Sequence, residues 1–279
     1  MANNIALFQK YIAMLDEVYQ LESLTSALDG NNALVRMGAN AGEFHVPKMS
    51  LSGLADYSRT EGYQTGSVTL DFETFKCNYD RGLTFNVDAM DNEESAGIAF
   101  GMLASEFIRT KVVPEIDTWR FAQYAAVDGA TTGTGAVADA SAILAELIKA
   151  QNALDEAQVP ATQRYLYITP TLYNTVANAD TNKSKAVLDS FAMTKKVPQA
   201  RFKTEVTLGA DGFTTGGSNI NFMVIHKPAV LQYQKHIVSK VVTPEANQKM
   251  DAWMFFYRAY GLADTYENKR SGIYVHTAA

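Results

Sequence analysis

Apolar positions along the chain change period several times, and each change marks an element. Over residues 5–28, Leu7, Tyr11, Leu15, Val18, Leu21 and Leu24 recur at helical spacing and form one stripe; Gly30 and the pair Asn31 and Asn32 end it. Residues 32–66 lose that periodicity. They carry Gly38, Gly42, Gly53, Gly62 and Gly66 among Phe44, Tyr57, Arg59, Glu61 and Tyr63, a mixture that reads as an extended arm held by other surfaces rather than a flexible linker. Over 67–88 the period is two. Val68, Leu70 and Phe72 alternate with Thr69, Asp71 and Glu73, and Leu83, Phe85 and Val87 alternate with Thr84, Asn86 and Asp88. Between the halves, Asn78 to Gly82 supplies turn chemistry, with Gly82 able to take a positive φ, so the pattern predicts a two-stranded β-ribbon.

The ribbon feeds into the stretch the rest is organised around, residues 91–127. Ile98, Phe100, Met102, Leu103 and Phe107 recur at helical spacing, and Ile116, Trp119 and Tyr124 continue an apolar face. Asp91 and Glu94 have capping-box spacing, and with Glu93 they suit the positive end of a helix dipole. Such a helix would span about 50 Å at 1.5 Å per residue. Pro114 predicts a kink or the start of a second helix. Residues 128–138 read as a Gly/Thr/Ala connector. Gly133 and Gly135 suggest a phosphate cradle only weakly, because no strand precedes them and no Gly-Lys-Ser/Thr follows. A helix over 139–157, a strand over 164–169 and a helix over 171–179 indicate an α/β region. Residues 183–213 read as irregular, with Lys183, Lys185, Lys195, Lys196, Arg201 and Lys203 on a solvated loop. Strands follow at 219–226, 231–242, 253–260 and 271–275, and the long helix is the surface they are expected to cover.

Composition narrows the function classes. A formal charge of −6 argues against nucleic-acid binding driven by net charge. The single cysteine, Cys77, excludes an intramolecular disulfide framework. No start of the secretory type is visible and no apolar run approaches a membrane span, which places the protein in a cytoplasm-like compartment and away from membranes. The four histidines, His45, His226, His236 and His276, show no metal-ligand spacing. No nucleophile motif accompanies His226, and the carboxylates Glu93 and Glu94 are explained by capping. No catalytic residue, cofactor or metal site is expected, and the protein is not read as an enzyme.

The order of parts resembles the major capsid proteins of tailed double-stranded DNA phages with the HK97 fold. The resemblance covers nearly the whole chain and is most specific over YDRGLTFNVDAMDNEES running into VVPEIDTWRF, then VPATQRYLYITPTLY and YENKRSGIYV. It implies an α+β fold divided into an N-arm with helix (1–45), an extended arm and E-loop (46–90), a peripheral domain (91–160 and 235–279) with a spine helix at 91–127, and an axial domain (161–234). The E-loop tip is placed at the turn of Tyr79 to Gly82, with 62–66 as the alternative. By the same resemblance, the chain would assemble with itself as pentamers and hexamers into an icosahedral shell around the phage genome, built in the host cytoplasm and ending in the virion. A portal protein and a separate scaffolding protein would be partners, and packaged DNA would touch it only weakly. Tyr57, Arg59, Tyr63, Phe72, Phe75, Tyr79, Asp80 and Arg81 are the expected inter-subunit contacts. Phe44, Phe75 and Tyr79 are among the aromatics expected to lie exposed on an isolated subunit, while Arg59, Glu61, Asp80 and Arg81 would pair across the seam. An encapsulin-type shell housing cargo enzymes and a cytosolic α/β enzyme are the alternatives.

Overall fold

The computed structural model describes residues 23–30, 36–37, 43–60, 62–94, 98–179 and 182–278. Most of the helix expected over 5–28 lies outside them; its last residues form a short 3-10 turn at Ser26–Leu28. In chain order come strands β1 (Arg36–Met37), β2 (Glu43–Leu51), β3 (Val68–Lys76) and β4 (Tyr79–Asp88), then helices α1 (Ala89–Glu94) and α2 (Ile98–Phe107). A π-helical turn, Ile108–Val112, joins α2 directly to α3 (Val113–Ala125). There follow β5 (Thr131–Thr134), α4 (Ala140–Glu156), β6 (Arg164–Ile168), α5 (Pro170–Asn178), α6 (Asn182–Asp189), β7 (Met193–Lys196), β8 (Lys203–Gly209), β9 (Gly212–His226), β10 (Val230–Val242), β11 (Ala252–Thr265) and β12 (Ile273–Thr277).

Pro114 neither breaks nor ends the long helix. The residues flanking the π turn, Phe107 and Val113, both keep right-handed helical dihedrals. Proline cannot donate to the carbonyl four residues back, and its ring crowds that carbonyl. A wider turn just before it accommodates both defects without interrupting the rod.

The helix is a central layer. On one side, β4, β11 and β10 form an antiparallel sheet with β11 in the middle. On the other lies a sheet ordered β5-β12-β9-β6-β7, with β8 pairing the first half of β9. The strand NINFMVIH explains why this second sheet is buried on both faces. Met223 and Ile225 point to the cluster holding Ile116, Phe121 and Tyr124 of α3, while Phe222 and Val224 point to Ile143, Leu147 and Leu154 of α4. Successive side chains alternate faces, so a continuous apolar run fits a sheet sandwiched between helices. Helix α4 starts at Asp139, whose side chain accepts from Ala142 N at 2.8 Å, an N-cap bond.

Several expectations change. Strand β3 does not pair with β4; it pairs with β2, Phe44 facing Phe75 and Leu51 facing Val68, while β4 joins β11. The ribbon is therefore 43–76, and the stretch read as an unpatterned arm supplies half of it. Gly82 lies inside β4, where a side chain would come within 2.8 Å of the Tyr257 carbonyl; in the loop that closes the ribbon it is Gly62 that takes a positive φ, at +81°. Of the C-terminal strands, only β10 and β11 belong to the sheet beside β4. Strand β12 and helix α4 pack with β6 and β9, so the sheet begun at 161–234 also gathers elements from both sides of it in sequence. The connector 128–138 holds edge strand β5, and the basic stretch 183–213 is built into α6, β7 and β8.

Candidate functional site: the projecting ribbon

Nine consecutive cross-strand pairs make the ribbon, from Glu43 with Lys76 at its root to Leu51 with Val68 at its far end. Eight steps of about 3.4 Å carry the far end roughly 27 Å from the root. Residues 52–67 close it. Within them Ser58 and Gly62 exchange backbone hydrogen bonds, at 3.2 and 2.8 Å, and the Tyr57 and Tyr63 rings meet edge-to-face at 5.0 Å. The Tyr63 side chain is 91% exposed.

The two faces of the ribbon exchange character along its length. On one face the root carries the apolar side chains Phe44, opposite Phe75, and Val46, opposite Glu73; farther out come Lys48 with Asp71 and Ser50 with Thr69. The opposite face starts polar, with Glu43 opposite Lys76 and His45 opposite Thr74. It then becomes apolar through Pro47 with Phe72, Met49 with Leu70 and Leu51 with Val68. Met49, Leu51, Val68, Leu70 and Phe72 are between 51% and 68% exposed. A two-residue period on each strand fixes this inversion, because a residue cannot change faces without shifting the register.

The root face is anchored in the subunit. Phe44, Val46 and Phe75 cluster with Leu231 and Leu262, and Phe44 meets Tyr233 edge-to-face at 4.8 Å. Lys48 Nζ lies 2.6 Å from Glu267 Oε2. Three of the expected inter-subunit aromatics thus divide from a fourth. Tyr57, Tyr63 and Phe72 are exposed, whereas Phe75 is 4% exposed and packs on Tyr266. The expectation that Phe44, Phe75 and Tyr79 lie open on the subunit is corrected: all three are inside it.

Tyr79, Asp80 and Arg81 are likewise engaged within the chain. The Tyr79 ring rests on Trp119, and its hydroxyl donates to Glu115 Oε1 at 3.0 Å; burial and the neighbouring carboxylate push that phenol well above its ordinary range. Arg81 forks onto Glu115, Nε donating to Oε1 at 2.9 Å and Nη2 to Oε2 at 3.3 Å. Its remaining donors reach the Gly209 carbonyl at 2.6 Å and the Gly212 carbonyl at 3.1 Å, on the β8–β9 turn. One guanidinium therefore ties β4, the long helix just past Pro114, and that turn together. Asp80 is paired with Arg258, at 2.8 and 2.7 Å, which pulls its carboxyl below the usual range. Arg59 is exposed in the closing loop, and Glu61 lies outside the described residues.

Sequence reasoning missed a second anchor, where residues 23–30 meet the long helix. The Asp117 carboxylate is fully buried and accepts from Ser23 Oγ at 2.8 Å, Leu24 N at 2.9 Å and Thr25 Oγ1 at 2.6 Å. Buried Arg120 donates to Thr25 Oγ1 at 2.8 Å, and Gln232 Nε2 bonds Thr25 O at 2.8 Å and Asp29 Oδ1 at 2.6 Å. The only sequence signal was a pair of charged residues, Asp117 and Arg120, on an otherwise apolar helical face.

Among the described residues no group of three His, Cys, Asp or Glu side chains could hold a metal ion, and no helix is long and apolar enough to cross a membrane. His226 and His276 are buried in the larger sheet, and burial is the main cause that lowers the pKa of each.

No family model and no curated protein matches the chain. Solved structures do. A protein of Mycobacterium phage Che8 aligns with TM-score 0.62 and 13% identity over 91% of this chain and 90% of its own. A chain from the asymmetric unit of the bacteriophage PhiM1 mature capsid aligns with TM-score 0.60 and 9% identity, over 86% and 82%. The virus-like particle from Pyrococcus furiosus aligns with TM-score 0.61 and 11% identity, over 97% and 99%. At such identities the shared property is the fold, and the fold is α+β of the HK97 capsid type, as the order of parts implied.

Proposed function

We infer from this fold and the projecting ribbon that the chain is a structural subunit that assembles with copies of itself into a closed icosahedral shell, the capsid of a tailed double-stranded DNA phage. The observation that carries the reading is the match along about nine tenths of the chain to a phage protein and, at similar coverage, to a mature capsid. A subunit with an apolar strip that runs out to roughly 27 Å along a projecting arm suits that role, since monomers seldom leave such a strip uncovered. The parts would divide as the resemblance implies: residues 1–45 as N-arm, the ribbon as E-loop, the long helix as spine of a peripheral domain, and the region around 161–234 as axial domain. Pentamers and hexamers would form by heterologous contacts that close. Tyr57, Arg59, Tyr63 and Phe72 are the proposed inter-subunit contacts that stand exposed; the internal roles of Phe75, Tyr79, Asp80 and Arg81 leave them to position the ribbon and its root. A portal protein and a scaffolding protein would complete the particle, assembled in the host cytoplasm, with only weak contact to the packaged genome. No catalytic role is proposed.

The near-complete overlap with the Pyrococcus furiosus particle favours one second reading, a shell housing protein cargo. Expression of the chain alone, followed by sedimentation and negative-stain imaging, tests both. Closed shells are expected. Nucleic acid inside particles made during infection supports the capsid reading, and a single enclosed protein supports the other. A stable monomer at high concentration overturns both.

A further inference from the structure

Gly133 and Gly135, only weakly suggestive of a phosphate cradle, lie instead against a buried imidazole. Strand β5 pairs with β12 in parallel, with Gly133 beside His276. A side chain at Gly133 would collide with the Tyr274 hydroxyl and come within 3.1 Å of the His276 ring, so glycine lets the connector lie flat over that ring. His276 is fully buried and stacks on Phe222 at 4.9 Å. Gly135 is held twice. Its amide donates to the Thr277 carbonyl at 3.2 Å, and its carbonyl accepts from Asn221 Nδ2 at 3.4 Å. The same Asn221 nitrogen faces His276 Nδ1 at 3.1 Å. One NH2 group therefore serves the imidazole and the connector, with one hydrogen for each.

We propose that this shared amide is an acid-sensitive latch on the connector between the long helix and α4. In the neutral ring Nδ1 accepts, and both bonds are satisfied. A proton taken up from solvent goes to Nδ1, and two donors then face each other. Turning the Asn221 amide over sets Oδ1 against Nδ1–H, but the same turn brings Oδ1 towards the Gly135 carbonyl, and two acceptors cannot bond. Holding the charged ring and holding Gly135 are thus mutually exclusive. Glu146 Oε2 lies 3.5 Å from Nε2 and favours the charged ring; Lys149 Nζ, 3.3 Å from that oxygen, works against it. The phenol of Tyr274 shares the site, while β9 presents Asn221 and Phe222 and β5 presents Gly133, none of which titrates. Burial holds the imidazole below its ordinary range, so the latch is closed at neutral pH and opens on acidification. The connector follows the end of the long helix at Ala125 and enters α4 at its N-cap Asp139. Opening therefore loosens the tie between that helix and the edge of the larger sheet.

Hydrogen exchange read by mass spectrometry, corrected for the intrinsic pH dependence of exchange, tests the latch. In the wild-type chain, protection of 128–138 relative to α5 falls about fivefold between pH 8 and pH 5, the order of effect one hydrogen bond supplies. In His276→Gln the ratio stays constant across that range, because the group that takes up the proton is gone. Asn221→Asp turns an acceptor towards both Nδ1 and Gly135, so its connector is already open at pH 8. A wild-type ratio that does not move overturns the proposal. So does a His276→Gln ratio that falls as the wild type's does, or an Asn221→Asp connector as protected at pH 8 as the wild type's. Should His276→Gln fail to fold, the wild-type and Asn221→Asp measurements still decide. None of them requires assembly, so the result is independent of the shell reading.

Discussion

Phe75 and Tyr79 were expected at a seam between subunits, and both turn out to hold the subunit together. Removing a buried aromatic side chain costs about 3–5 kcal/mol through lost transfer energy and the cavity left behind. Phe75→Ala and Tyr79→Ala should therefore shift the urea midpoint of the subunit itself, and Tyr79→Ala more, because Glu115 also loses a donor. An unchanged midpoint for either variant would contradict the packing described. Asp117 makes a sharper case. Its carboxylate satisfies four donors from residues 23–25 and lies near buried Arg120, so Asp117→Ala leaves those groups unpaired. Breaking a buried charged network costs about 3–5 kcal/mol. The expected result is a destabilised subunit whose amides at 24–29 lose hydrogen-exchange protection first; uniform loss across the chain would speak against a local anchor.

At the scale of elements, the ribbon is held at one end only. Its root pairs lie in a cluster with Leu231 and Leu262, while the pairs from Pro47 and Phe72 outward touch solvent on their apolar face. At the root β1 adds a third strand beside Phe44 and His45, but farther out the ribbon is two-stranded and marginal by itself, so protection should fall along it from root to tip in the free subunit and rise at the tip on assembly. Equal strong protection from end to end in the monomer would refute the picture. The larger sheet has a pH dependence of its own. His276 stacks on Phe222, Asn221 Nδ2 lies 3.1 Å from its Nδ1, and its Nε2 is 3.5 Å from Glu146 Oε2. An amide nitrogen only donates, so Nδ1 accepts and the neutral ring carries its proton on Nε2. Burial lowers the His276 pKa; Glu146 opposes that and Lys149 adds to it. His226 is lowered by burial, then by Arg164 and Lys269. With folded pKa values below the unfolded value of about 6.5, the unfolded chain binds more protons, so stability is full above that pH and falls as pH drops below it. Melting temperatures measured between pH 8 and pH 5 should decline, and His276→Gln should flatten the decline.

The whole molecule is acidic, and the basic residues of 183–213 are dispersed over α6, β7, the 3-10 turn Gln199–Arg201 and β8. Strand β7 is an edge strand of the larger sheet, where Lys195 and Lys196 discourage unwanted strand addition. Lys196 is further held over the Tyr173 ring at 4.2 Å and donates to Asn174 at 3.2 Å. With a net charge of −6, free subunits should bind duplex DNA weakly. The slope of log affinity against log salt should be shallow, about 2 or less in magnitude. Tight binding that depends on sequence, read by fluorescence anisotropy, would show that a specific surface has been overlooked.

Period alone determined much of this protein. The run NINFMVIH, the helix begun by Asp139, strands read at 231–242 and 253–260 and the helical faces on both sides of Pro114 follow from local spacing, because burial on one face or two leaves its mark within a few residues. Their order was enough to indicate the fold. Tertiary structure alone decided the partners. Strands β3 and β4 each alternate correctly for a hairpin, yet β4 gains more by joining β11, whose Phe255, Tyr257 and Ala259 cover the long helix. Strand β3 then takes β2, in a stretch whose glycines and charges hid its strand. The fate of Phe75 and Tyr79 depended on Leu231, Leu262 and Trp119, far away in sequence. Alternation tells which side chains share a face, but what covers that face is a long-range contact, and local periodicity carries no record of it.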